Sequence, residues 1–125
     1  MAISRMRRVN EVLRQVISES INADLSDPRV EMVTVNSVNT APDLSAAKVY
    51  VTVLGGEQER QDALKGLKRA HGVLQSRVAA ETSMKRTPTL SFVYDESVET
   101  GLRIAALLDA DADDLPEARA DEPGN

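Results

Sequence analysis

The chain has 125 residues and no cysteine, which is enough for one domain with its own hydrophobic core but excludes a disulfide framework and a thiolate zinc site. No apolar run reaches the length of a membrane span, and no apolar segment of a secretory signal follows the charged N-terminus, so we expect a cytoplasmic protein. The net charge of −5 is uneven: residues 109–125 carry −6 and residues 1–108 carry +1. We expect residues 1–108 to form the folded domain and residues 109–125 to form an acidic, disordered C-terminal tail.

Apolar residues recur at helical spacing from Met6 to Ile21, which predicts a first helix that ends at about Ala23 and has Ser4 as its N-cap. Three arginines lie near the start of this helix: Arg5, Arg7 and Arg8. The helix dipole favours acidic residues at that position, so the arginines oppose local stability and suggest a functional role. The alternative that they are simply solvated side chains stays open.

The next segment has the pattern of a β-hairpin. Residues 24–29 form a loop around Pro28, and the β-branched run of residues 30–40 predicts a strand with a bulge near Asn36, where the apolar parity changes. After a turn at residues 41–45, residues 47–54 alternate between apolar and polar side chains. The alternation predicts that helices cover one face of the hairpin and leave the other open.

The remaining elements are mostly helical. The glycine pair at positions 55 and 56 lacks the residues of a phosphate-binding loop and is interpreted as a linker, followed by a helix over residues 57–70 and another that ends at about Met84. Residues 88–95 predict a third strand, and residues 96–108 a short closing helix. The expected fold class is α+β, with a three-stranded sheet and helices packed on one face.

The segment from residue 60 to residue 86 has an excess of positive charge. Seven basic residues stand against two acidic residues, a local charge of +5. On a helical wheel, Lys65, Lys68 and Arg69 project away from the apolar stripe of their helix. A surface with so one-sided a charge is typical of phosphate binding.

The two predicted helices of this segment meet at Ala70-His71-Gly72, where a glycine weakens a continuous helix. Ala70 and Gly72 lack bulk, so another backbone could come within contact distance of the join. The alternatives, a helix C-cap or a glycine tolerated for packing, stay open. His71, the only histidine, is interpreted as a polar contact residue rather than a general base.

Catalytic chemistry needs a nucleophile with its base, paired carboxylates in a pocket, or metal ligands. The sequence has no spacing typical of any of them, and Asp95 with Glu96 is more typical of a helix cap. We therefore expect a protein that is not an enzyme and needs no metal or cofactor.

Five segments in fixed order resemble one protein family. They are SRMRRVNEVLRQVIS, SDPRV, TVNSV followed by PDLSAAKVYVTVLG, LKRAHGVLQ, and KRTPTLSFVYDESVETGLRI. Together they cover residues 4–108 and resemble ribosome-binding factor A, a branch of the type II KH-like RNA-binding domains. The resemblance implies an α-β-β-α-break-α-β order of elements, with Ala70-His71-Gly72 where other KH domains carry a GxxG loop.

The resemblance implies a non-enzymatic assembly factor that binds the free, immature 30S ribosomal subunit and its 16S rRNA. It implies contact near the rRNA 5′ end and the central decoding region, support of late rRNA processing, notably in the cold, and departure before translation. Ribosomal proteins and an assembly GTPase are further candidate partners, no membrane is involved, and a monomer is expected. The candidate RNA-binding residues, expected on one surface, are Arg5, Arg7, Arg8, Lys65, Lys68, Arg69, His71, Gly72, Lys85 and Arg86.

Two residues depart from the family pattern: Gln75 replaces a usual base, and Thr82 stands where an apolar residue is usual. The expected consequences are a lost charge contact and looser packing at the end of the third helix. A general KH-like RNA-binding module and an adaptor that docks a ribosomal protein or GTPase by its sheet face stay open as alternatives. Only Tyr50 is an outward aromatic residue on the second strand, which argues against base stacking as the main contact.

Overall fold

The computed structural model describes residues 2–97 and 104–108, with side chains from residue 5 onward. The helices are α1 (Ala2–Asp24), α2 (Glu57–Arg69) and α3 (His71–Glu81), and the strands are β1 (Val33–Thr40), β2 (Ala46–Val53) and β3 (Thr89–Tyr94). A 3₁₀ turn spans Pro28–Val30. Residues 96–97 and 104–108 are also helical, whereas the rest of the predicted closing helix and the whole of the predicted tail lie outside the described residues.

The predicted α+β architecture is confirmed. The sheet has the order β1-β2-β3, with β1 antiparallel to β2 and β3 parallel to β2. By its contacts the chain divides after Tyr94 into two compact units, and all three strands lie in the first unit.

The predicted bulge lies in the middle of β1. The pairing with β2 shifts register between Val35 and Ser37, so Val35 and Val38 are both buried although their spacing is odd. The extra residue thus returns the apolar side chains of β1 to the helix-covered face. Asn36, within the bulge, accepts a hydrogen bond from the Thr52 hydroxyl on β2.

The hydrophobic core lies between the sheet and the three helices. On β2 the side chains of Val49, Val51 and Val53 are buried, and the residues between them are more exposed, as the alternation predicts. The helices contribute a further seven side chains to the core: Leu13, Val16, Ile17, Ile21, Leu67, Leu74 and Val78. Among the described residues of the first unit, the helices therefore cover one face of the sheet and leave the opposite face open.

Each outer strand of the sheet is bonded along its free edge by an amide side chain from a helix. On β1, the Thr40 N–H donates to Asn10 Oδ1 of α1 at 3.0 Å. On β3, Gln75 of α3 donates from Nε2 to the Pro88 carbonyl at 2.5 Å and accepts from the Leu90 N–H at 3.2 Å. Both contacts satisfy backbone groups that edge strands otherwise leave open.

Three predicted boundaries are wrong. Helix α1 starts at Ala2, so Ser4 lies inside it and is not the N-cap. Strand β1 starts at Val33 rather than Val30, because Pro28 and the Asp27 side chain, which accepts from the Arg29 N–H, turn the chain into the 3₁₀ turn. Helix α3 ends at Glu81 rather than Met84, because the next residue, Thr82, adopts an extended conformation (φ −115°, ψ 152°).

Candidate nucleic-acid interface

Helix α2 separates charge along its length and around its circumference. Its first turn carries Glu57 and Glu59 and its last turn carries Lys68 and Arg69, the arrangement that the helix dipole favours. Around the helix, Ala63 and Leu67 are buried whereas Lys65, Lys68 and Arg69 are exposed. The C-terminal half of α2 thus presents basic side chains to solvent because its apolar stripe holds it against the core.

The two helices meet at a single non-helical residue, Ala70 (φ −87°, ψ 7°). The Ala70 N–H donates to the Gly66 carbonyl at 3.0 Å, and the Ala70 carbonyl accepts from the Leu74 N–H at 3.1 Å. The hydrogen bonds of α2 therefore end, and those of α3 begin, on this residue. His71 begins α3 half-buried beside the basic end of α2.

The close approach expected at Gly72 is not found within the protein. A Cβ added at Gly72 meets no atom within 4 Å, because the residue lies exposed in the first turn of α3. The tight glycine is Gly66, where a Cβ would lie 3.0 Å from Val30 Cγ1 and 3.2 Å from Asp27 Oδ2. The sequence contains an indication of this contact, since Gly66 lies among the buried residues of the α2 stripe.

A groove of about 590 Å³ runs between α2 and β3. Two lysines of α2, Lys65 and Lys68, and His71 at the start of α3 line one side of it. Leu64, Leu90, Ser91 and Phe92 form the rest of its lining. The groove thus combines basic side chains with a largely apolar lining, and the sequence did not indicate the part that β3 contributes.

Gln75, expected to mark a lost charge contact, has a structural role instead. Its side-chain nitrogen donates to the Pro88 carbonyl, and its side-chain oxygen accepts from the Leu90 N–H, at the start of β3 and next to the groove. The hydroxyl of Thr82 also has a hydrogen-bond partner, since it donates to the Val78 carbonyl at 2.8 Å. This hydrogen bond closes the last turn of α3, and the looser packing expected there stays a prediction.

Ion pairing divides the basic residues into two groups. Four arginines outside the candidate set pair with carboxylates: Arg14 with Glu11, Arg29 with Asp27, Arg60 with Glu57, and Arg77 with Asp24 and Glu81. Among residues 5–97 and 104–108, the candidate cations have no ion pair: Arg5, Arg7, Arg8, Lys65, Lys68, Arg69, Lys85 and Arg86. The candidate cations are therefore not held in ion pairs, a property that they share with Lys48 on β2.

Two of these cations still act at a distance on acidic groups. The pKa of Asp27 is lowered to about 2, chiefly by hydrogen bonds from the Arg29 side chain and backbone, and Arg69 contributes to the shift. The pKa of Asp43 is lowered by hydrogen bonds from Ser45, and Arg86 contributes. These effects place Arg69 near the 3₁₀ turn and Arg86 near the β1–β2 turn.

Arg7 of α1 lies in a different groove from the α2 lysines, although one common surface was expected. Arg7 lines a separate groove of about 550 Å³ with Asn10, Arg14 and residues 36–38 of β1. Because β1 and β3 are the outer strands of a three-stranded sheet, roughly 10 Å apart by strand spacing, the two grooves lie at opposite edges of it. The structure therefore gathers Lys65, Lys68 and His71 and separates Arg7 from them.

Metal-binding clusters and membrane-spanning helices are both absent from the described part of the chain. Among residues 2–97 and 104–108, no cluster of His, Cys, Asp or Glu has the size to hold a metal ion. In the same ranges, no helix combines the length and hydropathy of a membrane span. Asp95 Oδ1 accepts from the Ser97 N–H at 3.0 Å and from its hydroxyl at 2.5 Å, the contact of a helix-capping acid.

Comparison with known proteins identifies the family. The family model described as ribosome-binding factor A matches residues 5–108. The chain belongs to the ribosome-binding factor A family. A relative of that name from Nitrosococcus oceani is 44% identical over 106 residues, which are 85% of this chain and 84% of the relative.

Solved structures of the ribosome-binding factor A family agree with the fold. The crystal structure of ribosome-binding factor A from Thermus thermophilus is similar with a TM-score of 0.65 and 32% identity, covering 71% of this chain and 93% of that one. A homology model of the Thermus thermophilus factor, fitted into a cryo-EM map of a 30S complex with it, has a TM-score of 0.59 and 33% identity over 70% of this chain and 91% of that one.

Proposed function

We propose that this chain is a ribosome assembly factor that binds the free, immature 30S subunit and contacts the backbone of its 16S rRNA. Membership of the ribosome-binding factor A family supports this, as does the similarity to a homologue fitted into a map of its 30S complex. The observation that carries the proposal is the set of uncompensated cations around the α2–α3 junction, including Lys65, Lys68 and Arg69.

The geometry favours contact with phosphate and ribose over base readout. Lys65 and Lys68 can place ammonium groups on phosphates at one side of the α2–β3 groove, and the apolar lining suits the ribose. Of the two aromatic residues of β3, Tyr94 lies under Arg60 at 4.3 Å, and Phe92 lines the groove only with the part of its ring that is not packed against the core. A surface of this kind recognises the shape of folded RNA rather than its sequence.

The finer part of the proposal concerns timing. The factor supports late processing near the rRNA 5′ end and folding of the central decoding region, including in the cold, and leaves before translation. Binding through many separate ionic contacts suits this role, because each contact is weak and readily reversed. Ribosomal proteins and an assembly GTPase are the proposed partners for its placement and release.

The test is cosedimentation of the full chain with free small subunits, large subunits and whole ribosomes over a salt series. Wild-type protein is expected on free small subunits only, with retention falling steeply as salt rises. Lys68→Glu combined with Arg69→Glu is expected to abolish retention while leaving the melting temperature within a few degrees of wild type, since both side chains are exposed. Lys48→Glu, an exposed lysine on the open sheet face, is the matched control.

Other outcomes identify the alternatives. Equal retention on all particles would reduce the function to a general KH-like RNA-binding module. Retention that changes neither with the salt concentration nor in the charge-reversal variant would favour an adaptor that docks through its sheet face. Absence of retention on every particle would refute the proposal.

A further inference from the structure

One end of the open sheet face carries two large apolar side chains in solvent. Met32, just before β1, is 57% exposed, and Leu54, just after β2, is 72% exposed. The Leu54 N–H donates to the Met32 carbonyl at 3.2 Å, so the two residues extend the β1–β2 ladder by one pair. We call these two residues the Met32–Leu54 patch.

The register of the hairpin places the patch on the face that the helices do not cover. The pair Val33–Val53 contributes to the helix-covered face, and the pair Thr34–Thr52 therefore points to the other face. Since side chains alternate along a strand, Met32 and Leu54 share the face of Thr34 and Thr52. Met32 also lines a cavity with Ile21 and Asn22 of α1 but keeps 57% of its surface exposed.

Acidic residues adjoin the patch in the sequence. Glu31 precedes Met32, and Glu57 and Glu59 follow Leu54 in the first turn of α2, where Glu57 also pairs with Arg60 at 3.5 Å. The Glu59 carboxylate folds back to accept the Gly56 N–H at 2.8 Å, and its carbon atoms lie close to Gly55, so its charge is held at the glycine pair that follows Leu54. Residues 15–59 as a whole carry a charge of −5.

The acidic residues next to the Met32–Leu54 patch and the basic residues next to the α2–β3 groove lie at opposite ends of α2. This helix has 13 residues and is therefore roughly 18 Å long, with Glu57 and Glu59 at one end and Lys68 and Arg69 at the other. RNA phosphate is repelled from the acidic end, whereas a cationic protein segment is attracted to it. Exposed apolar side chains with a charged rim are typical of a protein contact.

We propose that the Met32–Leu54 patch docks a basic segment of a partner protein, with apolar side chains of that segment against Met32 and Leu54 and its lysines or arginines beside Glu31, Glu57 and Glu59. The chain then contacts RNA with one end of α2 and protein with the other. The proposal rests on the proposed function only in the choice of probes, which are the basic proteins of the small ribosomal subunit.

The experiment titrates fluorescently labelled full-length chain with individually purified small-subunit ribosomal proteins and follows anisotropy. Two variants probe the patch: Met32→Ser with Leu54→Ser, and Glu31→Lys with Glu57→Lys. Val73→Ser, which removes an apolar side chain of α3 that is 47% exposed, is the matched control. A single-stranded RNA oligonucleotide is titrated in parallel, and sedimentation velocity reports self-association.

The expected result is saturable binding of at least one ribosomal protein, weakened at least tenfold by both patch variants and unchanged by Val73→Ser. RNA affinity is expected to be unchanged by the double serine variant. Absence of binding, equal binding by the double serine variant, or a self-association that this variant abolishes would each overturn the proposal. A failure of small-subunit cosedimentation would refute the proposed function instead, and the direct titration would still decide the role of the patch.

Discussion

Gln75 connects helix α3 to the start of β3, where its two bonding partners lie 13 and 15 residues later in the chain. Its amide bonds to Pro88 and Leu90 at the start of β3, which has no further strand beside it in the described sheet. Replacement by alanine would leave a carbonyl and an N–H of a part-buried edge without partners. The cost of such unsatisfied groups is on the order of 1–3 kcal/mol.

We therefore predict that Gln75→Ala lowers the free energy of unfolding by about 1–3 kcal/mol in denaturant titrations. Gln75→Glu keeps an acceptor for the Leu90 N–H but places a carboxylate beside the Pro88 carbonyl, so it is expected to be no better than alanine at neutral pH. Ser76→Ala, at the exposed neighbouring position, is the control. Equal stability of Gln75→Ala and the control would contradict the role assigned to the amide.

Asp27 gives the fold a dependence on acid pH. Its pKa is lowered to about 2, first by the Arg29 side chain and then by the Arg29 backbone N–H. In the unfolded chain an aspartate titrates near pH 4. A lowered pKa in the folded state means that the charged form stabilises the fold above pH 4, and that this contribution is lost as the pH falls toward 2.

The predicted result for Asp27→Asn is a lower melting temperature than wild type at pH 6, with a difference that shrinks between pH 4 and pH 2. Arg29→Ala removes the same ion pair from the other side and is expected to give the same convergence. Melting curves recorded by circular dichroism from pH 6 to pH 2 measure it. A difference that stays constant over this range would show that the ion pair does not stabilise the fold.

At the scale of elements, the two glycines near the α2–α3 junction are expected to respond to alanine in opposite ways. Gly66 packs on the 3₁₀ turn, where an added Cβ would press on Val30, itself 2% exposed. Gly72 faces open space inside a helix, where alanine is preferred by up to about 1 kcal/mol. The predicted effects on stability therefore have opposite signs.

We expect Gly66→Ala to destabilise the protein by about 1–2 kcal/mol, because overpacking outweighs the helix preference. Gly72→Ala should stabilise it by about 0.5–1 kcal/mol. Chemical denaturation measures both, and cosedimentation of Gly72→Ala adds a test of the candidate site. Weaker retention of this more stable variant would mean that RNA approaches the backbone at Gly72, and unchanged retention would remove Gly72 from the candidate residues.

The elements that the sequence predicted best are those with a local periodic pattern. The alternation of β2 and the parity change in β1 depend only on neighbours, and the structure confirms both the buried valines and the bulge. The predicted start of β1 and the predicted end of α3 were wrong, because a single turn or extended residue sets each of them, at Pro28 and at Thr82. The contacts of Gln75 and Gly66 could not be predicted, because each joins segments whose approach is set by tertiary packing.

The same limit applies to the candidate surface. Uncompensated charge on α2 followed from the helical wheel, whereas the division between the β1 and β3 edges required the strand order. From the sequence, the arginines of α1 were expected beside the α2 lysines, because both sets are basic and both lie in segments that resemble the same family. Arg7 lies apart from the α2 lysines because it lines a groove with β1, whereas the lysines line a groove with β3.

At the scale of the whole molecule, this separation raises the question of whether RNA is contacted on one edge of the sheet or on both. The salt dependence of binding distinguishes them, because each phosphate contact contributes about 0.7–0.9 to the slope of log K against log salt. Lys68→Gln with Arg69→Gln removes two candidate contacts on the α2 side, and Arg7→Gln removes one beside β1. Arg14→Gln is the control, since Arg14 lines the same groove as Arg7 but is paired with Glu11.

We predict that the α2 double variant lowers the magnitude of the slope for small-subunit binding by roughly two, that Arg7→Gln lowers it by roughly one, and that Arg14→Gln leaves it unchanged. This pattern would mean that rRNA contacts both edges, so that the sheet stands between two backbone segments and holds them at a fixed spacing. A slope unchanged in Arg7→Gln would confine the RNA to the α2–β3 groove. The arginines of α1 would then be solvated side chains, the alternative that the sequence left open.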